Sequence, residues 1–437
     1  MPGELTLSVQ SLDGDGYGVA RYQKQEDAFE RTIRLKNALP GELATARMLK
    51  RRKGEWFGET HSVESASSDR RAAACEFYPR CGGCSVQHLE YAAQLALKQS
   101  ALTQALADND VQAVTLQAPV YGPRFGYRTK ARFGVRVVKG EVLVGFRESF
   151  SNRVGRMSHC LTLAESLSDL IAPLKNLIQK LSIPQWIPQV EVAAGDGDTA
   201  LMLRHLEPLA DGDLQAIEAF GIAHRVRVYT QSGGYDSLAP ASPAAAASYL
   251  GYRNADFGLH FRFAPADFTQ VNLEMNRKLV RAAVAGLAAP AGSKVLDLFC
   301  GIGNFSLPLA VSGLQVRGLE AAAPAIERAR LNAHHNALAA RCEFEVQDLY
   351  DPGCLNLGQA DYLLLDPPRS GAGPNLSAWL QNTGVQRVAY VSCSPASFAK
   401  DAAVLKQTGF TLEQVGIFDM FPNTAHVETL GIFQKSW

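Results

Sequence analysis

The sequence predicts an α/β protein whose C-terminal part is built on a mainly parallel sheet. The apolar run 295–298 leads into a Gly301-Ile302-Gly303 turn, and a helical pattern follows. Further apolar runs alternate with helical patterns up to the C-terminus, as expected for strands joined by helical crossovers. Residues 1–65 instead contain short alternating strands separated by turns, which predicts a small β barrel. A mixed α+β segment lies between these two parts.

The turn after the first apolar run predicts a nucleoside-binding site. Glycines allow the backbone to approach a ligand without a Cβ in the way. The next predicted strand, 315–320, ends in Glu320, and an acid about 20 residues past such a turn can bind both hydroxyls of a ribose. This order fits an adenosine-containing cofactor. Taken alone, a Gly-x-Gly turn is equally compatible with a packing turn in another α/β protein.

Length and composition limit the class of protein. A chain of 437 residues predicts about two to four domains. No apolar run is long enough to span a bilayer, and the start of the chain lacks the basic and apolar regions of a signal peptide. We therefore expect a cytoplasmic protein with reduced thiols and no membrane contact.

The charges balance overall but cluster locally. The chain has 43 basic and 43 acidic residues. Two basic runs lie beside aromatic residues, an arrangement that suits phosphate contact and base stacking and that is also typical of a solvated surface. The first run is Arg47, Lys50, Arg51, Arg52 and Lys53, and the second is Arg124, Arg128, Lys130, Arg132, Arg136 and Lys139.

Cysteine spacing predicts a metal site. Cys75, Cys81 and Cys84 lie in one short loop, and three close cysteines in a cytosolic chain favour a metal over disulfides. Cys160 is the best candidate for a fourth ligand. The spacing does not distinguish a four-cysteine zinc site from an iron–sulfur cluster. The cysteines interpreted as structural are Cys300, Cys342 and Cys354.

Periodicity predicts the remaining elements. The predicted helices cover 89–107, 163–181 and 272–288. The predicted strands of the middle segment cover 130–138, 141–147, 188–193, 200–205 and 224–230, and those of the C-terminal part cover 295–298, 315–320, 341–347, 361–365, 387–393, 410–418 and 427–434. The last two strands are close in sequence, which allows a hairpin and one antiparallel strand in the sheet.

Two further motifs fall at predicted C-terminal strand ends, where ligands bind in open α/β sheets. In the motif 366–371, two prolines force an extended loop and hold Asp366 at the sheet edge. In the motif 392–395, Ser394 can cap a helix and Pro395 suits its first position. Cys393 is thereby predicted to lie at a helix N-terminus, where a thiolate is favoured and can act as a nucleophile. A buried structural cysteine is the alternative.

Together these motifs resemble RNA (uracil-5)-methyltransferases that depend on S-adenosylmethionine. The resemblance rests on Asp-Leu-Phe-Cys-Gly-x-Gly-Asn-Phe (297–305), Asp-Pro-Pro-Arg-x-Gly (366–371), Ser-Cys-Ser-Pro (392–395) and His-Val-Glu-Thr (426–429). It covers nearly the whole chain and implies a Rossmann-like class I methyltransferase domain. The Gly-x-Gly-x-Gly-Val-Ala stretch and Leu39-Pro40-Gly41-Glu42 resemble a TRAM domain, an OB-like RNA-binding module. With the three-cysteine loop, the chain is most similar to members that act on 23S ribosomal RNA and carry a [4Fe-4S] cluster.

The resemblance also implies an organisation and a set of roles. The implied parts are a TRAM domain (1–65), an iron–sulfur cysteine loop (66–95), a central α+β domain that contributes Cys160 (96–265) and a methyltransferase domain (266–437). We expect a monomer. Cys393 matches the nucleophile and Glu428 the base, with His426 as a competing base. The cluster ligands would be Cys75, Cys81, Cys84 and Cys160. The cofactor-binding residues would be Gln270, Phe299, Asn304, Glu320, Gln347 and Asp366, of which Gln347 departs from the Asn or Asp usual in the family.

Chemistry agrees with these roles. Carbon 5 of uracil is a poor nucleophile, and addition of a thiolate to carbon 6 places electron density on carbon 5. Carbon 5 then takes a methyl group from S-adenosylmethionine, a base removes its proton, and elimination frees the cysteine. The target must be an unpaired or flipped-out uridine. The sequence does not identify that uridine, and another 23S site or a tRNA stays an alternative.

Other activities fit less well. Cytosine-5 enzymes usually have Pro-Cys where this chain has Pro367-Pro368, and amino-methylating enzymes favour Asn-Pro-Pro-Tyr there. A radical enzyme would need a Cys-x3-Cys-x2-Cys motif. A non-catalytic iron–sulfur RNA-binding protein would be expected to have lost Cys393 or Glu428, and both are present.

Overall fold

The computed structural model describes residues 3–23, 30–52, 54–246 and 249–436. Lys53, part of the first predicted basic run, lies outside the described residues. No helix within these ranges is long and apolar enough to cross a membrane.

Five N-terminal strands close a barrel in the order β1-β2-β3-β5-β4, which confirms the predicted small β barrel. Alternation places Leu7, Val9, Ile33 and Leu35 in its interior, where each is at most 5% exposed. The strands are β1 (Glu4–Leu12), β2 (Gly18–Tyr22), β3 (Arg31–Lys36), β4 (Leu43–Arg52) and β5 (Glu55–Ser65).

The middle of the chain forms a six-stranded sheet with helices packed on it. The elements of this region are α1 (Tyr91–Ala107), β6 (Ala113–Leu116), β7 (Lys130–Val138), β8 (Glu141–Gly145), α2 (Glu165–Ser168), α3 (Ile171–Lys180), β9 (Gln189–Ala194), β10 (Thr199–Arg204), α4 (Asp211–His224), β11 (Arg227–Gln231) and β12 (Leu238–Pro240). The sheet order is β12-β11-β10-β9-β7-β8. The predicted helix 163–181 is interrupted between α2 and α3, and helix α4 was not predicted.

The C-terminal part forms a hairpin and a large sheet. Its elements are β13 (Leu250–Asn254), β14 (Leu259–Phe263), α5 (Leu273–Leu287), β15 (Lys294–Leu298), α6 (Ser306–Val311), β16 (Gln315–Glu320), α7 (Ala323–His335), β17 (Cys342–Val346), β18 (Tyr362–Leu365), α8 (Leu376–Asn382), β19 (Arg387–Ser392), α9 (Pro395–Gln407), β20 (Phe410–Phe418) and β21 (Glu428–Lys435). The eight-stranded sheet has the order β17-β16-β15-β18-β19-β21-β20-β6. Strands β15 to β19 are mutually parallel, which confirms the mainly parallel sheet.

The reversed strand β21 positions the site. It pairs antiparallel with β19 on one side and with β20 on the other, so Thr429 lies opposite Ser392. The start of β21 is therefore next to the end of β19. As a result, Glu428 and Cys393 meet at the same edge as the C-terminal ends of β15 and β18.

The edge strand β6 comes from far away in sequence. It pairs in parallel with β20, although it lies in the segment that the resemblance assigned to the central domain. The proposed boundaries between the four parts stay predictions.

Candidate active site

Three strand ends bring the predicted nucleophile, base and acidic residue together. Cys393 follows β19, Asp366 follows β18, and Glu428 opens β21. Both carboxyl groups raise the pKa of the Cys393 thiol. The three groups therefore share one polar cluster at the carboxyl edge of the sheet, as the sequence predicted for its strand-end motifs.

Cys393 stands at the start of helix α9. The Ser394 side chain accepts a hydrogen bond from the Ser397 backbone N–H at 3.3 Å, and Pro395 is the first helical residue, which confirms the predicted cap. The prediction that this position favours a thiolate is wrong for the protein without substrate. Burial and then the charge of Glu428 raise the pKa of Cys393, and the Arg369 guanidinium lowers it by less.

Glu428 is the most isolated polar group of the site. The residue is 2% exposed, and its Oε1 atom has no hydrogen-bond partner among the described residues. Burial raises the pKa of Glu428 well above its usual value, Asp366 raises it further, and Arg369 opposes them. An unpaired buried oxygen is costly for stability, so its retention beside a thiol indicates a functional group.

A second acidic pair lies deeper at the same edge. Burial raises the pKa of Asp297 to about 7 and that of Asp366 to about 7, and the charge of Asp297 adds to the shift of Asp366. Asp297 is fully buried and accepts a hydrogen bond from the Ser306 hydroxyl. This bond ties β15 to the helix after the glycine turn and so fixes the turn between them.

The glycine turn has the left-handed backbone that its sequence requires. Phe299, Gly301 and Gly303 have φ values of +64°, +54° and +89°. The φ of Gly303 strains any residue with a Cβ, and a Cβ there would also lie 2.6 Å from the Leu307 Cδ1 atom, so glycine is favoured at this position. The side-chain amide of Asn304, next in the chain, exchanges two hydrogen bonds with that of Asn276 at 2.8 and 3.0 Å.

The predicted ribose-binding acid lies beside the residue predicted on the adenine side. Glu320 ends β16, and its side chain accepts a hydrogen bond from the Ala322 N–H at 3.0 Å. The Glu320 carbonyl accepts one from the Gln347 N–H at 2.9 Å. Gln270 is half-buried in the loop before α5. Phe299 packs on Tyr350 with ring centroids 5.8 Å apart.

The four cysteines proposed as metal ligands line one small cavity. Burial raises the pKa of Cys75, Cys81 and Cys84, and the neighbouring thiols add to each shift. The Cys160 backbone N–H donates to the Ser168 hydroxyl at 2.9 Å. Across the described ranges, no group of three or more Cys, His, Asp or Glu side chains stands in an arrangement that could hold a metal ion. The four predicted cysteines therefore share one cavity, and within the described ranges they are not arranged as a metal-ligand set.

The N-terminal barrel inserts a lysine into this cysteine loop. Lys36 ends β3 and is 3% exposed. Its ammonium donates to the carbonyls of Pro79 and Cys81, the latter at 3.2 Å, and to the Ser149 hydroxyl. Burial lowers the pKa of Lys36 to about 8. The contact joins the barrel, the cysteine loop and the middle sheet.

Comparison with known proteins gives the family. A family model described as tRNA (Uracil-5-)-methyltransferase matches residues 252–342 and 354–436. The 23S rRNA (uracil(1939)-C(5))-methyltransferase RlmD of Hahella chejuensis is 40% identical, with 99% of this chain and 97% of that protein covered. RlmD of Thiobacillus denitrificans is 41% identical, with 98% and 99% covered. This chain belongs to the RNA uracil-C5 methyltransferase family.

A solved structure has a fold similar to that of this chain. The Pyrococcus abyssi tRNA (uracil-54, C5)-methyltransferase, crystallised with S-adenosyl-L-homocysteine, has a TM-score of 0.75 and 23% identity, and the match covers 99% of this chain and all of that one. This likeness shows that the chain has the fold of that protein. The relatives over nearly the whole chain make it a methyltransferase, and the glycine turn with Glu320 fits an adenosine ligand.

Arg369 lies in this site, and sequence analysis predicted no role for it. Its guanidinium lies 3.4 Å from the His426 Nδ1 atom and lowers the pKa of both Cys393 and Glu428. Partial burial and the Arg369 charge lower the pKa of His426, which weakens it as a base. The sequence signal for Arg369 was its place three residues after Asp366. That signal could not show which groups Arg369 acts on, because Cys393, His426 and Glu428 belong to other parts of the chain.

One predicted basic run is only partly available for RNA. Lys130 donates to the Asp267 carbonyl, and burial lowers the pKa of Lys130 to about 8. Arg128 donates from Nε to the Lys130 carbonyl at 2.9 Å. These two cations therefore bind the protein's own backbone. The run's exposed members are Arg124, Arg132, Arg136 and Lys139.

Proposed function

We propose that this protein methylates carbon 5 of a specific uridine in 23S ribosomal RNA with S-adenosylmethionine as methyl donor. The observation that carries the proposal is the meeting of a half-buried thiol, Cys393, with a buried carboxyl group, Glu428, whose Oε1 atom is unpaired. The choice of RNA is supported by the names of the relatives that match nearly the whole chain.

In the proposed reaction, Cys393 loses its proton and its sulfur adds to carbon 6 of the uracil. The electron pair of the 5,6 double bond moves to carbon 5 and is shared, as an enolate, with the carbonyl oxygen on carbon 4. Carbon 5 takes the methyl group that S-adenosylmethionine supplies, the bond from its sulfur to that methyl group breaks, and S-adenosylhomocysteine is the leaving group. Glu428 then accepts the proton from carbon 5, the double bond re-forms, and the Cys393 sulfur leaves.

The environment of Glu428 supports its role as the base. A raised carboxyl pKa makes the carboxylate a stronger base towards a carbon acid. The competing residue His426 has a lowered pKa, so the structure disfavours it. Arg369 is placed to offset the negative charge that the thiolate and Glu428 would otherwise share.

The proposed cofactor pocket surrounds the glycine turn. Glu320 would bind the ribose hydroxyls and Gln347, beside it, the adenine side. Asp366 would lie nearest the methyl group because it shares the polar cluster of Cys393. The other proposed contacts are Gln270, Phe299 and Asn304.

We propose further that Cys75, Cys81, Cys84 and Cys160 hold a [4Fe-4S] cluster, with zinc as the alternative. The support is that the four thiols line one cavity and that reduced cysteines in this number suit a metal. Anaerobically purified protein should be brown, with equal iron and sulfide. Stoichiometric zinc without visible absorbance would contradict the cluster.

The proposed substrate is a single-stranded or flipped-out uridine, because Cys393 is half-buried and a stacked base could not reach it. The barrel, residues 1–65, is proposed to add RNA affinity as a TRAM domain. The protein is proposed to act as a monomer in the cytoplasm.

The function is tested by mapping 5-methyluridine in 23S rRNA. Cells that lack the gene should lose the modification at one uridine, and the purified protein should restore it with S-adenosylmethionine. Loss from tRNA, with 23S rRNA unchanged, would favour the tRNA alternative. No change in either RNA would support the non-catalytic alternative.

A further inference from the structure

The segment that leads into Glu428 is held by the cysteine loop. Residues 419–427 connect β20 to β21. The backbone N–H groups of Ser85 and Val86 donate to the Asn423 carbonyl at 3.0 and 3.1 Å. The Ser85 hydroxyl in turn accepts from the Ala425 N–H at 3.0 Å. Ser85 follows Cys84 directly, so the cysteine site and the segment before Glu428 are joined by three hydrogen bonds.

Asn423 is fixed from two other directions. Its side-chain amide donates to the Arg124 carbonyl at 2.9 Å, and its backbone N–H donates to the Gln94 Oε1 atom at 3.1 Å. The residue is 2% exposed and has φ +66°, a left-handed conformation that asparagine adopts more readily than most residues with a Cβ. Such a conformation persists when the surrounding contacts determine it.

The start of the segment is anchored separately. Lys98 on α1 forms a fully buried ion pair with Asp419 and donates to the Phe421 carbonyl at 3.0 Å. The Tyr91 hydroxyl donates to Asp419 at 2.7 Å. Helix α1 therefore holds residues 419–421 and, through Gln94, also Asn423, while the cysteine loop holds Asn423 and Ala425. The Ala425 bond to Ser85 is the last of these contacts before His426, and Glu428 then begins β21 opposite Phe418.

We propose that Ser85 and Asn423 are positioning residues that set the place of Glu428, so that the order of the cysteine site controls the proton-removal step. The structural half of the proposal, coupling between the Cys84 loop and residues 423–428, stands without any assignment of activity. The catalytic half rests on the proposed function.

The coupling predicts which step fails. Cys393 is held by β19 and α9, and the glycine turn is held by β15 and α6, so neither depends on Ser85. If the segment before Glu428 loosens, sulfur addition and methyl transfer should continue while proton removal slows. The methylated RNA should then stay attached to Cys393. A general loss of structure would slow all three steps.

Ser85→Ala removes the hydroxyl acceptor and leaves Cys84 in place. Amide exchange of residues 424–428, measured by mass spectrometry on the full metal-loaded chain, should become about threefold to tenfold faster, the change expected for one lost hydrogen bond. Asn423→Gly retains the left-handed backbone and loses the Arg124 contact, and it should act in the same direction. Ser168→Ala is the matched control, because Ser168 accepts from Cys160 on the other side of the cavity.

Removal of the metal is a second test of the coupling. Anaerobic treatment with a chelator should speed exchange of residues 424–428 and leave S-adenosylmethionine binding within about twofold. The coupling would be overturned if amide exchange of residues 424–428 stayed unchanged both in Ser85→Ala and after metal removal. It would also be overturned if Ser168→Ala changed that exchange as much as Ser85→Ala does. Faster exchange without any RNA adduct, in a protein whose wild type methylates RNA, would overturn the catalytic half alone. If the wild type does not methylate RNA, the proposed function fails and the exchange result still decides the coupling.

Discussion

Replacing Lys98 with Met should destabilise the methyltransferase sheet more than any surface ion-pair change. The Lys98 and Asp419 side chains are both 0% exposed, and removing one partner of a buried pair costs about 3–5 kcal/mol. Lys98→Met has nearly the same length, so little cavity is added. For a unit of 150–250 residues, this cost corresponds to a fall in melting temperature of about 6–20 °C.

The assay is thermal unfolding under anaerobic conditions, with two companions. Arg281→Met breaks the exposed pair with Asp256, which is 3.3 Å long, and should cost less than about 1 kcal/mol. The double change Lys98→Met with Asp419→Asn should be less destabilising than the sum of the two single changes, because the uncompensated charge is gone. If Lys98→Met melts within the range of Arg281→Met, the buried pair is not a determinant of stability.

Three other predictions concern the site and the barrel. Arg369→Gln should raise the pKa of Cys393, since Arg369 lowers it, and should slow alkylation of that thiol by iodoacetamide at pH 8; unchanged alkylation would contradict the contact. The pKa of Glu428 is raised in the folded protein, so the folded state loses stability as pH rises above 4.5, the ordinary pKa of a glutamate. Glu428→Gln removes this loss and should therefore melt at a higher temperature than the wild type at pH 7.5 and at the same temperature at pH 4. Changing Arg47, Lys50 and Arg51 to Ala should weaken RNA binding and reduce its salt dependence, while S-adenosylmethionine binding stays the same; equal RNA affinity would exclude the barrel's electrostatic role.

Local periodicity was enough to find most strands. The predicted bounds 130–138 and 410–418 are those of β7 and β20, because alternation and turn residues act within the segment. Strand β6 escaped prediction because its side chains are mostly exposed and its partner, β20, lies about 300 residues away. Pairing across that distance leaves no local signal.

In the active site, too, the sequence indicated the residues with local motifs and missed the effects that depend on distant parts of the chain. The motifs indicated Cys393, Asp366 and Glu428, and the structure brings them to one sheet edge. The raised pKa of Cys393 could not be read from its helix cap, because burial and then the charges of Glu428 and Asp366 raise it, and the two carboxyl groups come from other strands. The roles of Arg369 and Ser85 likewise depend on neighbours that only the folded chain supplies.

Trapping of the covalent intermediate tests the proposed mechanism most directly. Glu428→Gln, incubated with 23S rRNA and labelled S-adenosylmethionine, should transfer one methyl group and accumulate an SDS-resistant complex whose RNA is attached to Cys393. The added change Cys393→Ala should abolish the complex. Normal turnover by Glu428→Gln, or a trap formed by His426→Gln instead, would contradict the assignment of Glu428 as the base.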